Sequence, residues 1–177
     1  MYADNTLTPK EATRLCALGM LADGPMAYAE LAAGVRHFVT HVMGPSLDVL
    51  GTSIELLKHE GLVTALSGEK DKAILQITPD GLAELRTLLT ARIKTAENDL
   101  NKLVIALKFR FMDFLDPGER LLQIDLLTDS VENELARLED LRAHHSDDSV
   151  HLVEWLDREI EDLERRIVWL KAKRERV

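Results

Sequence analysis

The stretch SLDVLGTSIELLKHEGLV, Ser46–Val63, is where side-chain type and spacing first suggest chemistry. At 100° per residue Leu47, Leu50, Ile54 and Leu57 form one apolar stripe. Asp48, Thr52, Glu55, Leu56 and His59 then face the opposite way, with Val49 and Ser53 on one flank and Gly51 and Lys58 on the other. Such an outward set can meet base edges in a DNA major groove. Val49 and the methyl of Thr52 suit a thymine methyl, and Glu55 can accept from a cytosine amino group. Ser53, Lys58 and His59 complete the candidate reading face. Phosphate contacts would fall to Lys58, to Lys70 and Lys72, to Arg36 and His37, and to Lys10 and Arg14. Lys70 and Lys72 alternate with Glu69 and Asp71, and Asp48 would repel phosphate, so this surface is lean in positive charge. The same residues equally suit a plain solvated surface.

Other clusters carry weaker chemistry. In AHHSDDSVH, residues His144, His145, Asp147, Asp148 and His151 are competent zinc ligand types, but a Ser-Asp-Asp run is also what a helix start requires. No metal site is therefore expected there. ALKFRFMDFL, Ala106–Leu115, concentrates Phe109, Arg110, Phe111 and Phe114 at a helix end. It reads as a core junction, with an effector pocket anchored on Arg110 as the alternative. Cys16 lies beside an apolar helix face and is expected to be buried and inert. Trp155 and Trp169, two heptads apart, share a helix face at the edge of a seam. G-x-S-x-G, P-loop, H-E-x-x-H and G-x-G-x-x-G patterns are all missing, so the chain is expected not to be an enzyme and to need no cofactor.

The elements that must position these groups follow from caps and periodicity. Thr8, Pro9 and Glu11 form a capping-box start for a helix striped by Leu15, Leu18 and Leu21/Ala22 that stops at Asp23-Gly24-Pro25. A second helix, about Ala27–Met43, is striped by Leu31, Val35, Phe38 and Val42. Gly44-Pro45 ends it, Ser46 caps the third, and Gly61 closes that one. The β-prone runs Leu62–Leu66 and Ala73–Ile77 flank the polar tip SGEKDK and predict a hairpin. Thr78 and Pro79 then open a helix whose stripe predicts continuity to about Leu115. Asp116–Glu119 breaks it. A further helix carries Leu121 to Leu141, and after a turn capped by Asp147 or Ser146 a last helix carries Leu152, Leu156, Ile160, Leu163, Ile167 and Leu170 in steps of three and four.

These readings predict a mostly α chain. Residues 1–80 would be an N-terminal winged helix-turn-helix of three helices plus a β-hairpin. Residues 81–177 would be a helical dimerisation domain, a coiled coil or bundle. Narrow seams on long helices call for a partner, and a second copy is the simplest one. Antiparallel pairing of the last two helices within one chain is the competing arrangement.

Composition sets bounds. Of 177 residues 30% are charged and 46% hydrophobic, which favours folding over disorder. The net charge is −9, and neither half is basic: residues 1–80 hold 6 Lys+Arg against 10 Asp+Glu. Bulk charge thus argues against unspecific nucleic-acid affinity, although a dimer needs only a few cations per half-site. A single cysteine excludes an internal disulfide framework and fits a reducing cytoplasm. No membrane span and no secretion signal are expected.

Three segments in this order resemble the PadR family of winged-helix transcriptional regulators: ALGMLADGPM (Ala17–Met26), ELLKHEGLV (Glu55–Val63) and ITPDGLAEL (Ile77–Leu85). They match the family's apolar helix ending in a Gly-Pro turn, its acidic Gly-Leu-Val helix end and its Thr-Pro-x-Gly helix entry. The resemblance covers about the first 85 residues. It implies a homodimeric repressor that binds double-stranded DNA and responds to a small molecule or to stress. The chain departs from the family at AYAEL, which replaces a His-Gly-Tyr run, and at Asp48–Thr52, which replaces Gly-Thr-Leu-Tyr-Pro and leaves the family's Tyr contact without a counterpart. The alternative is a winged-helix protein-interaction module that dimerises and holds a partner through Val49 and Leu56 without binding DNA.

Overall fold

The computed structural model describes residues 6–43, 53–93, 99–145 and 149–177, which form two compact units, Met1–Leu115 and Asp116–Val177. In the first unit, α1 (Pro9–Asp23) starts with the expected capping box. The Thr8 hydroxyl accepts from the Glu11 amide at 3.3 Å, and the Glu11 carboxylate accepts from the Thr8 amide at 2.7 Å. Its inward residues Leu15, Cys16, Leu18 and Leu21 are buried and form the centre of the core. β1 (Met26–Ala27) leads directly into α2 (Tyr28–Met43), which buries Leu31, Val35 and Val39. α3 (Ser53–His59) follows, then β2 (Val63–Ser67), a 3-10 turn over Lys70–Lys72, and β3 (Ile74–Ile77). The sheet is antiparallel in the order β1-β3-β2, with Val63 opposite Ile77 and a bulge between Ala65 and Ser67. Helix, strand, helix, helix and two-stranded wing is the winged helix-turn-helix order.

The hairpin lies within one residue of its expected bounds. The third strand was not expected. Met26 and Ala27 follow a helix stop and look like the next helix's start, yet they pair with Leu75 and Ile74 on β3. Ser46 and the apolar positions Leu47 and Leu50 lie outside the described residues.

The single helix expected from Pro79 to Leu115 is corrected. It is two helices, α4 (Pro79–Thr90) and α5 (Asp99–Phe111), followed by a 3-10 turn at Met112–Phe114. Ala91 leaves the helix at φ −59°, ψ 150°, and Arg92 bridges to Thr6. Lys108 donates to the carbonyl of Leu89 and so satisfies one of the buried acceptors at the end of α4. The interrupted stripe then serves two packings on one core: Leu85 and Leu89 from α4, Leu103 and Leu107 from α5, all buried. Both helices belong to the first compact unit, Met1–Leu115.

The second unit holds α6 (Pro117–His144) and α7 (Val150–Arg174). Asp116 and Glu119 form another capping box at the break. The last helix has Ser149 at its N-cap position without a side-chain capping bond, and the expected caps Asp147 and Ser146 lie outside the described residues. The two helices run antiparallel. Arg142 near the end of α6 pairs with Asp157 at 2.7 Å, and Arg174 at the end of α7 pairs with Asp125 at 2.6 Å. Leu156, Leu163, Ile167 and Leu170 are buried beside Ile124, Leu127 and Val131, while Leu152 and Ile160 are half-buried. The seam expected to receive a second copy is therefore occupied within the chain, because α6 offers a matching stripe.

Candidate nucleic-acid interface

α3 is held by its own apolar pair and by its exit. Ile54 and Leu57 are buried, as their spacing requires. Gly61 turns the chain at φ +75°, a conformation that favours glycine, and the amide of Leu62 donates to the carbonyl of Leu57. The Thr78 hydroxyl then does two things: it donates to the carbonyl of Gly61 at 2.8 Å and accepts from the amide of Gly81 at 3.1 Å. One side chain thus ties the end of α3 to the start of α4. Gly81 is required there, since a Cβ would strike the carbonyl oxygen of Leu62.

The outward side of α3 presents Glu55, Leu56 and His59, with Lys58 partly covered. Lys58 Nζ lies 3.5 Å from a Glu55 carboxylate oxygen, so the one lysine of this helix is partly neutralised on its own face. Leu56 is 48% exposed. Ser53 is the first residue of α3; Val49 and Thr52 lie outside the described residues. On the wing, Lys70 and Lys72 are exposed within the 3-10 turn, and Lys70 adopts φ +50°. Arg36 and His37 are exposed on α2.

One expected phosphate contact is corrected. Arg14 on α1 is bound at 2.6 Å by Glu60 and at 3.2 Å by Glu84, so it links the end of α3 to α4. Burial disfavours its charge, but the two carboxylates outweigh that and raise its pKa. A guanidinium held this way is a structural tie rather than a free cation.

The phenylalanine-rich run divides. Phe111 is buried against Gly19 of α1, where a Cβ would meet its ring at 2.5 Å. Phe109 is half-buried, and Phe114 is 38% exposed with its ring 6.4 Å from Phe111. Arg110 stacks on Phe38 of α2 at 4.6 Å and on Phe111 at 5.1 Å. Residues 72 positions apart meet here, so no local sequence pattern shows the contact. His41 makes a local contact instead: its ring lies against that of His37, four residues earlier on α2, with centroids 4.0 Å apart, and its Nδ1–H donates to the His37 carbonyl at 2.7 Å.

Cys16 is fully buried, as expected, and burial pushes its thiol up to about 12 while the charge of Arg110 pulls the other way. Of the histidine-rich turn, Asp147 and Asp148 lie outside the described residues, and His144 Nδ1–H donates to the Asp140 carbonyl at 2.8 Å. No described helix is long and apolar enough to cross a membrane.

A family model for AphA-like transcriptional regulators matches residues 2–173. No curated protein matches. Among solved structures the chain is similar to Bacillus subtilis PadR, at 18% identity over 96% of each chain with a TM-score of 0.41. It is also similar to that protein in complex with p-coumaric acid, at 16% identity over 96% of this chain and 97% of that one, TM-score 0.39. For the complex with operator DNA the identity is 20%, over 92% and 97%, TM-score 0.37. These are structures of the family that the sequence resembles.

Proposed function

The chain belongs to the AphA-like family of transcriptional regulators, and from that premise we propose that it is a cytoplasmic, dimeric DNA-binding repressor whose affinity for its operator is set by a small-molecule effector. The observation that carries the reading is the head itself. α3 buries Ile54 and Leu57 and turns Glu55, Leu56, Lys58 and His59 outward, beside a wing that ends in Lys70 and Lys72. In this reading α3 enters the major groove at each of two half-sites, and the wings and Arg36 and His37 contact the flanking backbone. Val49, Thr52 and Ser53 would belong to the same reading face. With Lys58 shared with Glu55 and Arg14 committed to Glu60 and Glu84, few phosphates are neutralised per head. Random DNA should then be bound weakly, and specificity should rest on base contacts and shape.

The dimer in this reading forms through the α6–α7 hairpin, but not by its inner seam. Trp155 and Trp169 on α7 are 52% and 51% exposed and share one flank. Acids dominate α7 from Glu154 to Glu164, and only bases follow from Arg165 to Arg174. Two copies of α7 laid antiparallel on the tryptophan flank would set each acidic half against the other's basic half. The residues first assigned to dimerisation, Leu152 to Leu170, would support that surface from beneath.

The test is fluorescence anisotropy with duplex DNA from the protein's own upstream region, at two salt concentrations, against a scrambled duplex. The expected result is preference for the upstream duplex and only a shallow loss of affinity with salt, since few phosphates are neutralised per head. A second reading is favoured by a specific observation. Leu56 and Leu66 are 48% and 55% exposed on α3 and the wing, on a head with more acids than bases. That surface would suit a protein partner. Failure to bind the duplex at low salt, with co-purification of a protein that Leu56→Glu abolishes, would establish it instead.

A further inference from the structure

α2 carries His37 and His41 four residues apart, and both are exposed. That spacing sets two side chains on one helix face, one turn apart. The rings lie together, with centroids 4.0 Å apart and planes tilted by 35°. Two imidazole nitrogens on one zinc or nickel ion stand about 3 Å apart, since each bond to the metal is about 2.0–2.1 Å. Small rotations of two exposed rings this close bring a nitrogen of each to one ion. A second contact sets which nitrogen His41 offers. Its Nδ1 lies 2.7 Å from the carbonyl oxygen of His37. A carbonyl oxygen only accepts, so the proton sits on Nδ1, and in the neutral ring the lone pair is on Nε2. A backbone carbonyl that holds one ring nitrogen while the other coordinates is the usual support of a metal-bound histidine. At the end of α6, His144 has the same carbonyl contact, but the Asp140 carboxylate lies 3.5 Å from the nitrogen already used. That arrangement is a hydrogen-bonded pair, whereas α2 sets two ligands side by side. Among the described residues no group of three His, Cys, Asp or Glu stands ready for a metal. An ion on α2 therefore keeps coordination positions open to water or to an added oxygen ligand.

We propose that His37 and His41 form a two-imidazole site on α2 for a divalent transition ion of the zinc and nickel class. The site stands on the geometry of α2 alone; its consequence for DNA rests on the reading of the chain as a DNA-binding regulator. In that reading His37 meets the backbone beside the groove, on a head with more acids than bases. A bound ion places two positive charges there, and its open positions accept phosphate oxygens. It supplies charge that the head otherwise withholds, for Lys58 is shared with Glu55 and Arg14 is tied to Glu60 and Glu84.

The experiment is isothermal titration of the full chain, without an affinity tag or chelator, with nickel, zinc and magnesium chlorides. Nickel and zinc should each bind at one ion per chain, and magnesium, which prefers oxygen ligands, should not bind. His37→Gln and His41→Gln should each weaken nickel binding by roughly tenfold or more, because either leaves a single imidazole where two acted together. Both positions are exposed on a helix, so circular dichroism of the variants should match wild type. His144→Gln should bind nickel as wild type does. No nickel binding by wild type, unchanged affinity in either α2 variant, loss of binding in His144→Gln, or one ion per two chains each overturns the proposal. Anisotropy with the upstream duplex at fixed ionic strength separates the site from its consequence. Nickel in place of magnesium should tighten binding by about tenfold and steepen its salt dependence, as one more neutralised phosphate would. His41→Gln should lose both effects. If nickel binds through both histidines and duplex affinity is unchanged, the site stands and its link to DNA falls; if no duplex binds at all, the DNA-binding reading falls and the site still stands.

Discussion

Lys108 is 2% exposed on α5, and its ammonium donates to the carbonyl of Leu89 near the end of α4. Burial lowers its pKa from 10.5 to about 8, because a low-dielectric surrounding disfavours the charged form. Between about pH 8 and 10.5 the unfolded chain therefore holds more protons at this position than the folded one. Stability should rise with pH through that window, and the penalty for the buried charge should be fully present below it. Urea unfolding of wild type and Lys108→Met across the window checks this: the stability difference between the two should be constant below it and change most steeply within it, and parallel curves would refute it. At this scale the sequence was readable where a residue acts alone. Cys16 beside an apolar stripe is buried, and Thr8 with Glu11 forms its box. It was not readable where partners are distant. Arg14 looks like a surface cation until Glu60 and Glu84 arrive from α3's exit and α4, and nothing near Arg110 in the chain announces Phe38.

At the scale of elements, two small residues set how the helices of the head meet. Gly19 lets α1 accept the ring of Phe111, and Gly81 lets α4 approach the carbonyl of Leu62. Gly19→Ala forces a buried ring to move and should cost about 1–3 kcal/mol. Thr78→Ala removes the cap of α4 together with the bond to Gly61 and should cost about 1–2 kcal/mol. Chemical denaturation midpoints measure both. Thr78→Ala should also weaken any DNA complex beyond its effect on stability, since it loosens the exit of α3; unchanged affinity in a folded Thr78→Ala protein would separate the cap from the reading surface. Two helix starts were legible because caps are local: Thr8 and Thr78 each act within three residues. The break after Thr90 was not legible. An unbroken leucine stripe predicts continuity, and the interruption comes from tertiary contacts, namely the reach of Lys108 and the bridge from Thr6 to Arg92. The strand at Met26–Ala27 was hidden for a related reason: two residues carry no period, and only β3 makes them a strand.

For the whole molecule, the seam of the last helix was read correctly as a seam, but periodicity cannot say whose helix fills it. Here α6 does, with Arg142–Asp157, Lys171–Glu132 and Arg174–Asp125 fixing the antiparallel register. A dimer must use what is left, and the tryptophan flank of α7 is the surface proposed for it. Trp155→Ala with Trp169→Ala should convert the protein to monomer in sedimentation equilibrium while its helical circular dichroism persists. A dimer of unchanged strength would move the interface elsewhere. The acidity of the chain had argued against nucleic acid, yet family membership makes it a regulator, so the two bear directly on one question. The decisive measurement is a stoichiometric titration of the labelled upstream duplex, followed by competition with unlabelled upstream and scrambled duplexes. The account predicts a breakpoint at two chains per duplex and displacement by the upstream sequence alone; a complex displaced equally by the scrambled duplex, or no complex at low salt, would contradict it.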